Sequence, residues 1–299
     1  MAIETTQNKV NPGGQPQNKS QQKWIEAENA LADIRQTFGF VPSFMNNYTD
    51  ESLPGAWNEA KALRFSAGTA LEPKLKSLMA HAVAVQIPCD RILYFEERAA
   101  LSEGASRQQQ HEAVLMAAIT RHWSTVLNGL QVDKKVFRKE ADKIMEYVEQ
   151  MMAEMIEAPP KQEMFLFKPS TADEAYRDIE QTLGLVPKFF QLFPKEGIAG
   201  AWSEFKGLQL NPFTELSGEQ KELIGLAVAA QIPCDYCIYF HKSAAMLNGA
   251  TERKINEAIA LSASVRHWSA IFHGPHVDLT SFKKDADQML LNMGTQRQH

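Results

Sequence analysis

The chain has 299 residues, 44% of them hydrophobic, and its 31 Lys and Arg against 36 Asp and Glu leave a formal charge of −5. That length accommodates two domains more readily than one large core. The acidic balance, with no Lys/Arg block interleaved with aromatics, speaks against nucleic acid as a partner, and three cysteines are too few for a disulfide framework.

Residues 1–22 are rich in Gln, Asn, Gly and Pro and read as a flexible tail that cannot offset the entropy of ordering. They lack the apolar core of a signal peptide, and the longest apolar run, "LIGLAVAAQI" from Leu223, is too short to span a bilayer. The expectation is a cytoplasmic protein with no membrane contact. From residue 23 onward the chain repeats itself at an offset of 145 positions, as Gln86 against Gln231 shows. "FGFVPSF" from Phe38 returns as "LGLVPKF" from Leu183, "LPGAW" ending at Trp57 as "IAGAW" ending at Trp202, and "RHW" at 121–123 again at 266–268. The period is too long for a solenoid unit and marks a duplicated domain.

In the first copy, Glu72-Pro73 opens a helix, proline being suited to the first turn. The lone Cys89 reads as a small buried residue. The copy closes with a long helical pattern, "DKKVFRKEADKIMEYVEQMMAEMIEA", stopped by Pro159-Pro160. Its Met-rich end reads as core or interface filler. The expected division is therefore a tail at 1–22, one copy at 23–158 and the other at 159–299, where "KQEMFLFKPS" serves as a connector. In the second copy, Ser217 and Gln220 have capping-box spacing at the head of a helix. A break follows at Ile232-Pro233, a second helix runs from about Cys234 to the "NGA" at 248–250, and a third ends at Gly274. With no alternating strand pattern, the predicted fold is all-α, a tandem pair of helical domains.

The chemistry concentrates in "QIPCDYCIYFHKSA", which begins at Gln231. Cys234, Cys237 and His241 fall at i, i+3 and i+7 and share a helix face. A thiol in the first turn meets unpaired N–H groups that favour its anion. Glu222 lies ~12 Å before the break and His241 ~10 Å after it, so a helical hairpin would set them opposite one another. The result is a path from Glu222 through His241 to Cys237, with Cys234 as second thiol. The same positions in the first copy hold Ser77, Cys89, Ile92 and Glu96. That copy therefore reads as scaffold and the second as the working site. Zinc held by Cys234, Cys237, His241 and Glu222 is the competing reading, although the usual second ligand pair is missing. His122 and His267 occur in both copies and read as structural anchors, and Glu96 with Arg91 as a surface pair.

Glu222 followed by Cys234-x-x-Cys237-x-x-x-His241, preceded by "GLVPKFF" and "GAW", resembles the alkylhydroperoxidase D-like branch of the carboxymuconolactone decarboxylase family. The resemblance covers both copies and implies an all-helical homo-oligomer, a dimer or trimer if the fused pair halves a ring. It implies a thiol peroxidase or disulfide oxidoreductase without a bound cofactor, acting on a peroxide and restored by an external dithiol or disulfide-reductase partner. By position, Cys237 would form the sulfenic acid, Cys234 would protonate the product and then resolve it, and Glu222 with His241 would relay protons. Tyr236 stands where the family often has a histidine. Two other classes stay open: the lactone or ring-opening decarboxylation chemistry of the family's other branch, and a non-enzymatic metal-binding or assembly module.

Overall fold

The computed structural model describes residues 19–157 and 160–296. Most of the expected tail and the expected boundary at Pro159 lie outside them, while residues 19–22, read above as tail, already belong to the first helix. Among the described residues there is no strand. The helices are α1 (Lys19–Phe38), α2 (Leu53–Ala60), α3 (Pro73–Ala84), α4 (Asp90–Ser102), α5 (Arg107–Gly129) and α6 (Lys134–Glu157). They continue with α7 (Gln162–Leu166), α8 (Ala172–Leu183), α9 (Lys188–Leu192), α10 (Lys195–Leu208), α11 (Gly218–Gln231), α12 (Asp235–Leu247), α13 (Glu252–His273) and α14 (Leu279–Gln296).

Their starts follow from the sequence. Ser217 and Ser106 each accept the N–H three residues on while Gln220 and Gln109 reach back, forming the two halves of a capping box at α11 and α5. Pro73 occupies the first position of α3. At the end of α8, Gly184 has φ +77°, a left-handed conformation that relieves the last turn, and Gly39 does the same after α1.

Each copy begins with the same clasp. Trp202 Nε1 donates to Asp178 Oδ2 at 2.6 Å with Lys206 on the same carboxylate, and Trp57, Asp33 and Lys61 repeat the arrangement. The α3–α4 and α11–α12 hairpins then pack as expected. Beyond them the copies interlock: α6 crosses to α12, and α14 to α4 and α1, while α5 and α13 lie between the two hairpins, each packed on both α3 and α11. Paired contacts show the interlocking to be reciprocal. The Glu112 carboxylate accepts the N–H groups of Glu215 and Leu216, and Glu257 accepts those of Ala70 and Leu71. Tyr239 donates to Asp142, and Tyr94 to Asp287. Trp123 packs against Phe189 and Phe190, and Trp268 against Phe44. One apolar core consequently runs through both copies without interruption. The copies are units of sequence, and each packed unit takes helices from both.

Candidate active site

The α11–α12 hairpin brings Glu222 and His241 together. Glu222 Oε2 lies 2.7 Å from His241 Nδ1, and both residues are buried. As a carboxylate Glu222 can only accept, which places the proton on Nδ1 and leaves Nε2 of a neutral ring as an acceptor. Gln209, from the end of α10, donates to Glu222 Oε1 at 3.0 Å and fixes the carboxylate from its other side. Gly225, one turn along α11, leaves the space in which the imidazole sits. Beside Glu222, Lys221 is fully enclosed and gives its ammonium to the carbonyls of Leu208 and Asn211 and to Thr214 Oγ1. Burial lowers its pKa to about 8, with Glu222 and Glu112 opposing.

The sulfurs lie at the start of α12. Cys234 precedes the first helical residue and is its N-cap; its Sγ accepts the Cys237 N–H at 3.3 Å, as a serine oxygen does at α11. Both thiols are free and buried, Cys234 with no exposed surface and Cys237 with 5%. The Cys237 side chain is the largest influence holding Cys234 down to about 5, helped by Ser124, the Cys237 N–H and Asn128 against the cost of burial. The neighbouring Cys234, with burial, drives Cys237 far above its ordinary value. Cys234 is therefore the sulfur that gives up its proton more readily.

The remaining neighbours come from the other copy. Thr120 Oγ1 meets His241 Nε2 at 3.2 Å, and the Thr120 carbonyl lies 4.0 Å from Cys237 Sγ. One residue of α5 therefore stands between the imidazole and the second sulfur, where the sequence placed a direct step. Asn128 Nδ2 donates to Cys234 Sγ at 3.4 Å. Tyr236, between the cysteines, turns away and donates to the Val132 carbonyl at 2.5 Å. Thr120, Ser124, Asn128, Gln209 and Gly225 were not singled out from sequence. The "EQKELIG" spacing of Glu222 and Gly225 could have drawn attention to the glycine, but nothing local points from α5 to Cys234.

The division into a scaffold copy and a working copy is amended accordingly, because the first copy lines the site of the second. The counterpart region is filled differently. Glu96 is buried and pairs with Arg64, whose guanidinium also donates to Ser77 Oγ. The expected surface pair with Arg91 does not form, since Arg91 donates to the Val277 carbonyl. Cys89 is buried, as expected, but offers no cap; its Sγ faces the Ser269 carbonyl at 3.7 Å. His122 packs on Trp123 and Phe193, and His267 meets Tyr48 Oη at 2.8 Å, both apart from the sulfurs. Among the described residues no three His, Cys, Asp or Glu side chains converge as metal ligands.

The family model for the carboxymuconolactone decarboxylase family matches residues 52–135 and 198–275, once in each copy. The chain belongs to the carboxymuconolactone decarboxylase family. Its two matched segments span α2 to α5 and α10 to α13, the helices that build the site around the sulfurs and its counterpart. A crystal structure from Burkholderia xenovorans LB400, described as a candidate gamma-carboxymuconolactone decarboxylase subunit, superposes with a TM-score of 0.50 at 16% identity. The match covers 91% of this chain and 98% of that one, and it shows a shared fold. No curated protein matches the chain. No helix is long and apolar enough to cross a membrane, among the described residues.

Proposed function

We propose that this member of the carboxymuconolactone decarboxylase family is a thiol oxidoreductase of peroxidase type, cycling Cys234 and Cys237 between dithiol and disulfide. The observation that carries the reading is the pair of buried sulfurs at a helix start, Cys234 accepting the Cys237 N–H, beside the buried Glu222–His241 couple. Cys237, which as a residue keeps 5% of its surface exposed where Cys234 keeps none, takes the attacking role. Its proton passes to Cys234, and the resulting thiolate attacks one peroxide oxygen and breaks the O–O bond, becoming a sulfenic acid. The departing alkoxide takes the proton from Cys234 and leaves as alcohol. Cys234 then attacks the sulfenic sulfur, a disulfide forms, and hydroxide leaves as water with a proton drawn from solvent, which Nε2 of His241 takes up before giving it on. Two electrons have passed from sulfur to oxygen, and an external dithiol returns them. A partner disulfide could replace the peroxide in the same scheme. No bound cofactor takes part.

Purified protein given peroxide and a small dithiol tests the reading. Wild type should consume peroxide continuously, Cys237→Ser should not, and Cys234→Ser should stop after a single oxidation that a sulfenic acid reagent traps on Cys237. Trapping on Cys234 in the Cys237→Ser protein with turnover intact would reverse the two roles. Wild type that consumes no peroxide but opens a lactone would place the protein with the decarboxylase chemistry instead.

A further inference from the structure

We propose that Asn128, with Ser124 and Thr120, is a positioning set that the first copy contributes to the sulfurs of the second, so that the charge on Cys234 is held from across the repeat. The three residues are spaced four apart on α5 and share one face of it. Asn128 Nδ2 reaches Cys234 Sγ at 3.4 Å, and the Ser124 carbonyl and Oγ steady the same amide at 2.8 and 3.4 Å. Thr120 joins His241 to the Cys237 side of the pair. Tyr236 is spent on Val132 and supplies nothing to either sulfur.

The mirrored half supports the assignment. There α13 carries Val265, Ser269 and His273 at the corresponding positions, so the outer two polar groups of the set are replaced. The sulfur facing that helix is Cys89, which meets the Ser269 carbonyl at 3.7 Å. Donor-bearing helix and dithiol therefore belong to opposite copies, and the packing of α5 on α11 and α12 brings them together. The titratable groups around Cys234 are Cys237 and, beyond Thr120, His241 and Glu222; the adjacent Asp235 is paired with Lys134. The groups that most lower the Cys234 pKa are the neutral Cys237, Ser124 and Asn128 donors.

The inference rests on the dithiol reading for its place in turnover, but its test uses no peroxide. The ultraviolet absorbance of the thiolate is followed against pH in reduced, full-length protein, with Cys234→Ser as the blank. Wild type should give a midpoint near 5. Asn128→Ala should move it up by about one pH unit, and Asn128→Asp, which sets an acceptor against the sulfur, should move it further. Asn128 is exposed, so both substitutions should leave the fold intact. Ser124→Ala should also raise the midpoint, whereas Ser269→Ala in the mirrored half should not. An unchanged midpoint in both Asn128 variants would overturn the inference, whether or not the protein reduces peroxide. A shifted midpoint in a protein without peroxidase activity would leave the inference standing and remove the proposed function.

Discussion

An alanine Cβ at position 225 would lie 2.4 Å from Cε1 and 2.5 Å from Nδ1 of His241, closer than any van der Waals contact permits. The ring would have to leave Glu222, and its link to Thr120 would go with it. The first copy has Ala80 at this position and no imidazole to accommodate. Gly225→Ala gains roughly 0.8–1 kcal/mol in helix propensity, so the fold should survive while the relay is displaced. Peroxide turnover should fall by about 100-fold, with the helical circular dichroism signal retained. Full activity in this variant would mean that the imidazole is not needed where it now sits. The two N-cap cysteines make the same point about single residues: Cys234 accepts a helix N–H, whereas Cys89 faces a carbonyl.

Among the helices, the repeated clasps differ in burial although their residues are the same. Lys206 and Asp178, joining α10 to α8, have side chains exposed by 6% and 13%, against 47% and 32% for Lys61 and Asp33. Removing Asp178 strands an enclosed ammonium and the Trp202 N–H, whereas Lys61 can turn to water. Asp178→Ala should therefore cost about 3–5 kcal/mol and Asp33→Ala about 1–2 kcal/mol, as measured by urea unfolding. Equal losses would show that burial does not separate the two clasps. Much at this scale was legible in the sequence. The capping box at Ser217, the proline at α3 and the stop at 248–250 are local signals, and the Glu222, Cys234, Cys237 and His241 spacing needed only a helical hairpin to converge. Glu96 was misread because spacing along α4 offered Arg91, while its partner Arg64 lies on the turn that follows α2.

For the molecule as a whole, the crossing of α6 and α14 and the shared packing of α5 and α13 on both hairpins are what the sequence withheld. Amphipathic periodicity tells which face of a helix is buried, not which copy of a duplicated partner it will lie on. The self-comparison separates a copy with two thiols from a copy with one, and it has no means of seeing that Thr120, Ser124 and Asn128 cross between them. The continuous core and the paired Glu112 and Glu257 staples make the two copies interdependent. A site of this kind should act once per chain. Reduced, full-length protein treated with one equivalent of peroxide, quenched and mapped by mass spectrometry of alkylated peptides, tests that most directly. One peroxide should be consumed per chain, Cys234 should become joined to Cys237, and Cys89 should remain alkylatable. Peroxide left unconsumed, or Cys89 recovered in the disulfide, would contradict it.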